Sequence, residues 1–345
     1  MHVGLLTGGG DCPGLNAVIR AVVQLVSEEG GRCTGILEGW RGLIRNMTVP
    51  LDARETDGII GRGGSILGAS RTNPYKNATS EVPAVCETVH ALGLDALVVI
   101  GGDDTLGVAF RLYKDFDLPI VGIPKTIDND LLVSDFTFGF DTAVNVVTEA
   151  VDRLRTTAES HRRVFVVETM GRTSGWIACY AGMAVAADYI LVPEVPIDLP
   201  RLLAVLKRRR EGGKPYGIIV AAEGAEFPDR EPAPHDALEP FVNPRLSGIA
   251  YSLARQIERG TGLETRAVTL GHLQRGGAPT AYDRVLATRL GLAASHLVFR
   301  RRFGTLVALQ DQEIVEKPLD ERVGASRTLD LRLYNEAAAF FRELS

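Results

Sequence analysis

The chain has 345 residues, 45% of them hydrophobic and 23% charged, with 38 basic against 43 acidic side chains and a net charge of −5. These are globular values, sufficient for two cores at roughly 150 residues per domain, and they leave no basic surplus for nucleic acid. The start of the chain runs straight into a strand-like segment without a signal-peptide pattern, and no apolar stretch reaches about 18 residues, so a cytoplasmic protein with no membrane partner is expected. Cys12, Cys33, Cys86 and Cys179 are far apart and lack metal-ligand spacing. They read as free thiols of a reducing compartment.

The opening strand is followed by the loop Gly8-Gly9-Gly10-Asp11-Cys12-Pro13-Gly14 and then by helical spacing over residues 13–29, where Leu15, Val18, Ile19, Val22, Leu25 and Val26 form one face and Gly30-Gly31 ends it. Further helices are expected near residues 82–92, 104–114 and 141–157. The short apolar runs 96–100 and 120–123 look like buried parallel strands. Beyond residue 160 the alternation restarts, with strands at 164–169, 189–192 and 217–221 and a helix at 175–187, as in a second doubly wound unit. The polar, proline-rich stretch 227–240 reads as a loop. A strand at 267–270, a helix at 282–296 and a pair of strand-like runs over 305–317 follow. The whole is an α/β pattern in which helices cover mostly parallel sheets.

The glycine loop after the first strand can bind an anion through its amides and the helix dipole, or can simply be a tight turn needing positive φ. It is neither a dinucleotide fingerprint, which needs glycine where Pro13 sits, nor a P-loop, which needs lysine and a hydroxyl where Leu15 and Asn16 follow Gly14. Gly101-Gly102-Asp103-Asp104-Thr105 places two acids beside two glycines at a strand end, where a phosphate can approach the backbone and a carboxylate can hold Mg²⁺. One acid there would suffice as a helix cap. Two, with Asp128 and Asp130 in Pro124-Lys125-Thr126-Ile127-Asp128-Asn129-Asp130, point to a metal and proton-transfer centre. Arg71, Arg163, Arg172, Arg266 and Arg275 lie beside turns or strand ends; guanidinium groups hold phosphate dianions well, although each taken singly reads first as a solvated surface charge. His272, in Gly271-His272-Leu273-Gln274-Arg275-Gly276-Gly277, can be a satisfied structural histidine, but its glycine and arginine neighbours favour phosphate binding. The runs Arg208-Arg209-Arg210 and Arg300-Arg301-Arg302 read as solvated helix ends.

The segments 6–16, 101–105, 124–130, Met170-Gly171-Arg172 and 271–277, in this order and spacing, resemble the 6-phosphofructokinase family, with a match running from about residue 3 to about residue 318. The resemblance implies two Rossmann-like doubly wound domains with the active site in the cleft between them. Residues 1–138 with 252–302 would bind the phosphate donor, 139–251 with 303–320 would bind the sugar phosphate, and 321–345 would form a C-terminal helix. Asp128 would be the base that takes the proton of the sugar 1-hydroxyl, assisted by Asp130. Thr126 and Lys125 would attend the transferred phosphoryl group, Arg172 and Arg71 would stabilise its charge, and Asp103 would hold Mg²⁺. The donor would lie on Gly9, Gly10, Arg71, Gly102, Asp104, Thr105 and Lys125. Fructose 6-phosphate would be gripped by Thr126, Met170, Gly171, Arg172, Glu223, His272 and Arg275. Arg163 and Arg266 match arginines that reach in from a neighbouring subunit, so a homo-oligomer, dimer or tetramer, is implied.

ATP-using members resembling this chain usually have glycine at 104 and often at 125, whereas Asp104 and Lys125 resemble the pyrophosphate-dependent members. An aspartate there would fill the room beyond the second phosphate and repel an α-phosphate. Pyrophosphate is therefore the expected donor, with ATP as the alternative. Trp40 falls where ATP-using relatives stack adenine on an aromatic ring, but an ordinary packed tryptophan is the preferred reading. Arg20 and Arg155 fall where some relatives bind effector phosphates. A non-catalytic phosphate sensor and a kinase of another acceptor are the rival functions.

Overall fold

The computed structural model describes residues 1–227, 248–339 and 341. In chain order its strands are β1 (His2–Thr7), β2 (Arg32–Ile36), β3 (Thr48–Leu51), β4 (Ala96–Gly101), β5 (Ile120–Pro124), β6 (Val164–Thr169), β7 (Tyr189–Leu191), β8 (Gly217–Ala222), β9 (Thr265–Thr269), β10 (Thr305–Gln310) and β11 (Glu313–Pro318). The helices are α1 (Leu15–Glu28), α2 (Trp40–Arg45), α3 (Ala53–Thr56), α4 (Ala78–Ala91), α5 (Asp103–Phe116), α6 (Phe140–His161), α7 (Trp176–Ala184), α8 (Leu199–Glu211), α9 (Ile249–Thr261), α10 (Ala281–Phe299) and α11 (Leu331–Ala338). The chain forms two compact units. Met1–Thr142 and Arg275–Ser326 make the first, and the described residues of Ala143–Gln274 and Arg327–Ser345 make the second.

The first unit is built on a seven-stranded sheet in the order β11-β10-β5-β4-β1-β2-β3. β1, β4 and β5 are buried along their whole length and pair in parallel, which is what continuous apolar runs covered on both faces require. The edge strands β3 and β11 are antiparallel. β3 contains Pro50, which an edge tolerates because a missing N–H costs no ladder bond there, and β11 carries Glu313, Glu316 and Lys317. Thr7 pairs with Ile100 and Gly101 with Pro124, so the loops leaving β1, β4 and β5 emerge at one edge. α1 and α10 pack closely, because Gly291 has no Cβ: one there would lie 2.8 Å from the Ala21 Cβ and 2.9 Å from the Val18 carbonyl.

The second unit has a four-stranded, wholly parallel sheet in the order β7-β8-β6-β9. Thr169 pairs with Ala222 and Glu168 with Thr269, which brings Met170, Glu223 and Leu270 out at a common edge. The buried Glu168 carboxylate accepts from the amides of Gly248 and Ala250, holding the start of α9.

The units differ from the sequence expectation in their boundaries. Residues 303–320 belong with the first unit, because β10 pairs with β5 and β11 with β10, and residues 252–274 belong with the second, because β9 pairs with β6. Local sequence marks a strand but not its partner, so these boundaries follow long-range pairing. The expected helix over 321–345 is a short turn, Glu321–Gly324, in the first unit, followed by α11 in the second. β2, β3 and α2 fall in a stretch given no element from sequence. The loop expected at 227–240 lies, beyond Phe227, outside the described residues.

Candidate active site

At the carboxyl ends of β1, β4 and β5, glycines let three loops crowd together. Gly9 has φ 80° and Gly14, which begins α1, has φ 102°, so the loop after β1 does need left-handed backbone at two points. Gly8 and Gly101 are required for another reason: a Cβ on either would lie 2.6 or 2.4 Å from the buried Thr105 side chain. α5 is preceded by Gly102 without a side-chain cap, so Asp103 and Asp104 occupy its first turn instead of capping it. Asp103 is half-buried, Asp104 is exposed, and both carboxylates complement the helix dipole.

After β5, Lys125 is 3% exposed and its Nζ donates to the Gly10 carbonyl at 2.6 Å. Burial, its largest influence, pushes its ammonium below the ordinary lysine value, and Arg275 adds to that, while the carboxylates of Asp128 and Asp11 act in the opposite direction. Thr126 Oγ1 lies 3.1 Å from Asp130 Oδ1 and 3.5 Å from Asp128 Oδ2, and accepts from the Asp128 amide at 3.0 Å. Both aspartates are buried. Between them Asn129 adopts φ 52°, and its Oδ1 accepts from the Thr137 amide at 3.1 Å, which turns the two acids to the same side as Thr126. Arg275 Nη2 is 3.9 Å from Asp128 Oδ2, while its Nη1 donates to the Asp11 carbonyl at 3.4 Å. Gly10 is small for this guanidinium, since a Cβ there would be 2.6 Å from Nη1. Burying this many charges is tolerable only because opposite signs and hydrogen bonds meet within the cluster.

In the second unit the turn after β6 is held mainly through its backbone. The Met170 amide donates to Gln274 Oε1 at 3.2 Å and the Arg172 amide to Glu223 Oε1 at 2.8 Å. Gly171 has φ 147° and Arg172 φ 55°, a left-handed conformation costing an arginine roughly 1–2 kcal/mol. The Arg172 side chain is exposed, as is His272. Gly224 permits the turn, because a Cβ there would lie 2.2 Å from the Arg172 carbonyl.

Arg163 and Arg266 are elsewhere. Both meet one carboxylate, Glu264, at the amino ends of β6 and β9, with Arg163 Nε 2.9 Å from it. Six residues of β6, at about 3.3 Å each, separate Arg163 from Met170. Arg71 is exposed, and its neighbour Ser70 accepts from the Gly9 amide at 3.1 Å. Trp40 is 2% exposed within the core of the first unit, so its ring is a packing element. Arg20 pairs with Asp57 at 2.7 Å and Arg155 donates to the carbonyls of Val185 and Ala186. Arg209 is more than a solvated helix end, since it pairs with the buried carboxylate of Asp188 at 2.8 Å.

The sequence reading passed over the residues that hold these loops. Asn16 donates to the carbonyls of Arg62 and Gly64 and accepts from the Ile66 amide, and Asp11 accepts from the Ser65 amide, which packs residues 62–66 beside the glycine loop. Gln274, 0% exposed, ties Met170 to Gly271. The available signal was the cluster Gly61-Arg62-Gly63-Gly64-Ser65, a second glycine-rich turn.

Parallel sheets whose carboxyl ends carry glycine turns place the protein in the doubly wound α/β class, and a buried lysine–carboxylate cluster at such an edge suits phosphate chemistry. The family described as phosphofructokinase matches residues 2–298, and the chain belongs to that family. It is 52% identical over 344 residues to the pyrophosphate--fructose 6-phosphate 1-phosphotransferase of Streptomyces coelicolor, covering 99% of this chain and 100% of that one. It is also 49% identical over 340 residues to ATP-dependent 6-phosphofructokinase 3 of the same organism, covering 98% and 99%. Among solved structures, phosphofructokinase from Saccharomyces cerevisiae superposes with a TM-score of 0.81 at 32% identity, covering 98% of this chain, which spans only 46% of the yeast chain.

Proposed function

We propose that the protein transfers a phosphoryl group from pyrophosphate to the 1-hydroxyl of fructose 6-phosphate, giving fructose 1,6-bisphosphate and phosphate. The observation that carries this reading is the meeting of Asp128 and Asp130 on Thr126 Oγ1, with Lys125 buried against the glycine loop. Asp128 accepts the hydroxyl proton as the sugar oxygen bonds to the terminal phosphorus, and the bridging P–O bond breaks to release phosphate. Lys125 and Arg172 offset charge on the phosphoryl group, and Met170, Gly171, Glu223, His272 and Arg275 hold the sugar phosphate. With phosphate as the leaving group the reaction runs readily in both directions.

Mg²⁺ suits Asp103. Mg²⁺ takes one or two carboxylates together with substrate phosphate oxygens, and Gly102, where a Cβ would meet nothing nearer than 3.5 Å, leaves the backbone before that carboxylate open to a phosphate. When bound, the ion would neutralise charge on the donor.

Asp104 argues for pyrophosphate. An exposed carboxylate in the first turn of α5, unused as a cap, would repel the α-phosphate of a nucleotide. The relatives carry both donor names at nearly equal identity, so ATP is the second reading. Arg163 and Arg266 lie at the strand ends opposite Met170, which favours their serving another copy's site in a homo-oligomer.

Initial rates with pyrophosphate and with ATP at equal concentration test the donor. Pyrophosphate should be faster by about tenfold or more, and Asp104→Gly should shift the ratio toward ATP. Turnover with ATP alone would reverse the assignment. Binding of fructose 6-phosphate without turnover by either donor would make the protein a sensor.

A further inference from the structure

We infer that Glu194 is a positioning residue for the turn carrying Arg172, acting together with the C-terminal segment 327–329; that the turn serves the sugar phosphate rests on the proposed function. Glu194 follows β7. Its Oε1 accepts from the Gly175 amide at 3.0 Å and from the Leu329 amide at 2.8 Å. Its Oε2 is buried against Gly175, where a Cβ would lie 2.8 Å away. The next residue, Trp176, donates from its indole to the Arg327 carbonyl at 3.4 Å, and the Arg327 guanidinium lies 4.5 Å from its ring. Tyr334 of α11 donates to the Ile190 carbonyl at 3.2 Å, tying the same segment to β7.

The turn between β6 and α7 is thus fixed from two directions. Gln274 and Glu223 take the amides of Met170 and Arg172 on the strand side, the Ser174 amide closes onto the Gly171 carbonyl at 3.0 Å, and Glu194 takes the amide of Gly175 on the helix side. A left-handed arginine persists only where the surrounding chain over-determines it, and Glu194 supplies the far anchor three residues beyond Arg172. The segment that shares this carboxylate lies past residue 298, outside the residues matching the family model. Its contribution is to hold the start of α7, and through it Arg172, without touching substrate.

The test is Glu194→Ala and Arg327→Ala in the full chain, read by hydrogen exchange of the amides at 171–176 and by steady-state kinetics. Glu194→Ala should expose those amides and raise the KM for fructose 6-phosphate by roughly tenfold with the pyrophosphate KM unchanged, and Arg327→Ala should do the same to a smaller extent. Glu194→Gln, which keeps the accepting oxygen, should restore both. Unchanged exchange at 171–176 would overturn the inference, as would a lower melting temperature with both KM values intact, since that is all a purely structural cap would give. Should Glu194→Ala not fold, Arg327→Ala and Glu194→Gln decide by the same two readings. If the wild-type protein does not act on fructose 6-phosphate, the proposed function fails while the exchange data still decide the anchoring.

Discussion

The two units present their functional groups in opposite ways. In the first, the proposed base Asp128 is buried together with Asp130 and Lys125, with Lys125 donating to the Gly10 carbonyl and Thr126 meeting both acids. In the second, Arg172 and His272 reach solvent while the chain beneath them is held by Gln274, Glu223 and Glu194. Buried charges are pre-set in geometry and electrostatics, as proton and phosphoryl transfer require. Exposed groups on a braced turn can grip and release a ligand. Changes to the buried cluster should therefore lower kcat, and loosening the turn should raise the KM for the sugar phosphate, with kcat falling as well to the extent that Arg172 offsets charge on the phosphoryl group.

The largest expected effect is that of Asp128→Asn, which should reduce kcat by roughly 10²–10⁴-fold with the KM for the sugar phosphate little changed. Steady-state kinetics on folded protein, verified by circular dichroism, would check it, and full activity would remove Asp128 from the chemistry. Glu223→Ala removes the acceptor of the Arg172 amide, and should raise the KM for fructose 6-phosphate by about tenfold to a hundredfold while the KM for the donor stays put. A fall in kcat alone would erase the distinction between the units.

An effect on stability alone concerns Asp283, a buried acid of the first unit that accepts from the Thr142 amide at 2.8 Å and the Thr142 hydroxyl at 2.5 Å. Burial is the main cause that pushes it up to about 6, from 3.8. A carboxyl with a raised folded pKa holds its proton more tightly when folded, so stability declines as pH rises from about 4 to about 6 and stays lower above. Asp283→Asn cannot ionise. Its stability relative to wild type should grow by up to about 3 kcal/mol between pH 3.5 and 7, measured by denaturant unfolding. A difference independent of pH would mean that Asp283 titrates normally.

Much of the fold was legible locally. Helices expected at 13–29, 104–114 and 141–157 correspond to α1, α5 and α6, and the runs 96–100 and 120–123 to β4 and β5, because side-chain periodicity and glycine punctuation act over a few residues. β2 and β3 were not legible: they are short, and one carries Gly35 and the other Pro50. The site residues could be named from their motifs, but not their manner of use. Nothing local distinguishes an acid that caps α5 from one in its first turn, and the glycine cap decided it.

The alternation of strands and helices, the glycine turns and the family membership can all be read from residues close together along the chain. The tertiary structure alone decided which sheet received β9 and β10, that Lys125 is buried against Gly10, that Trp40 belongs to a core, and that Gln274 and Glu194 brace the turn of Arg172. Those facts depend on contacts between residues far apart in the chain, whose partners are chosen by packing and by the need to satisfy buried polar groups.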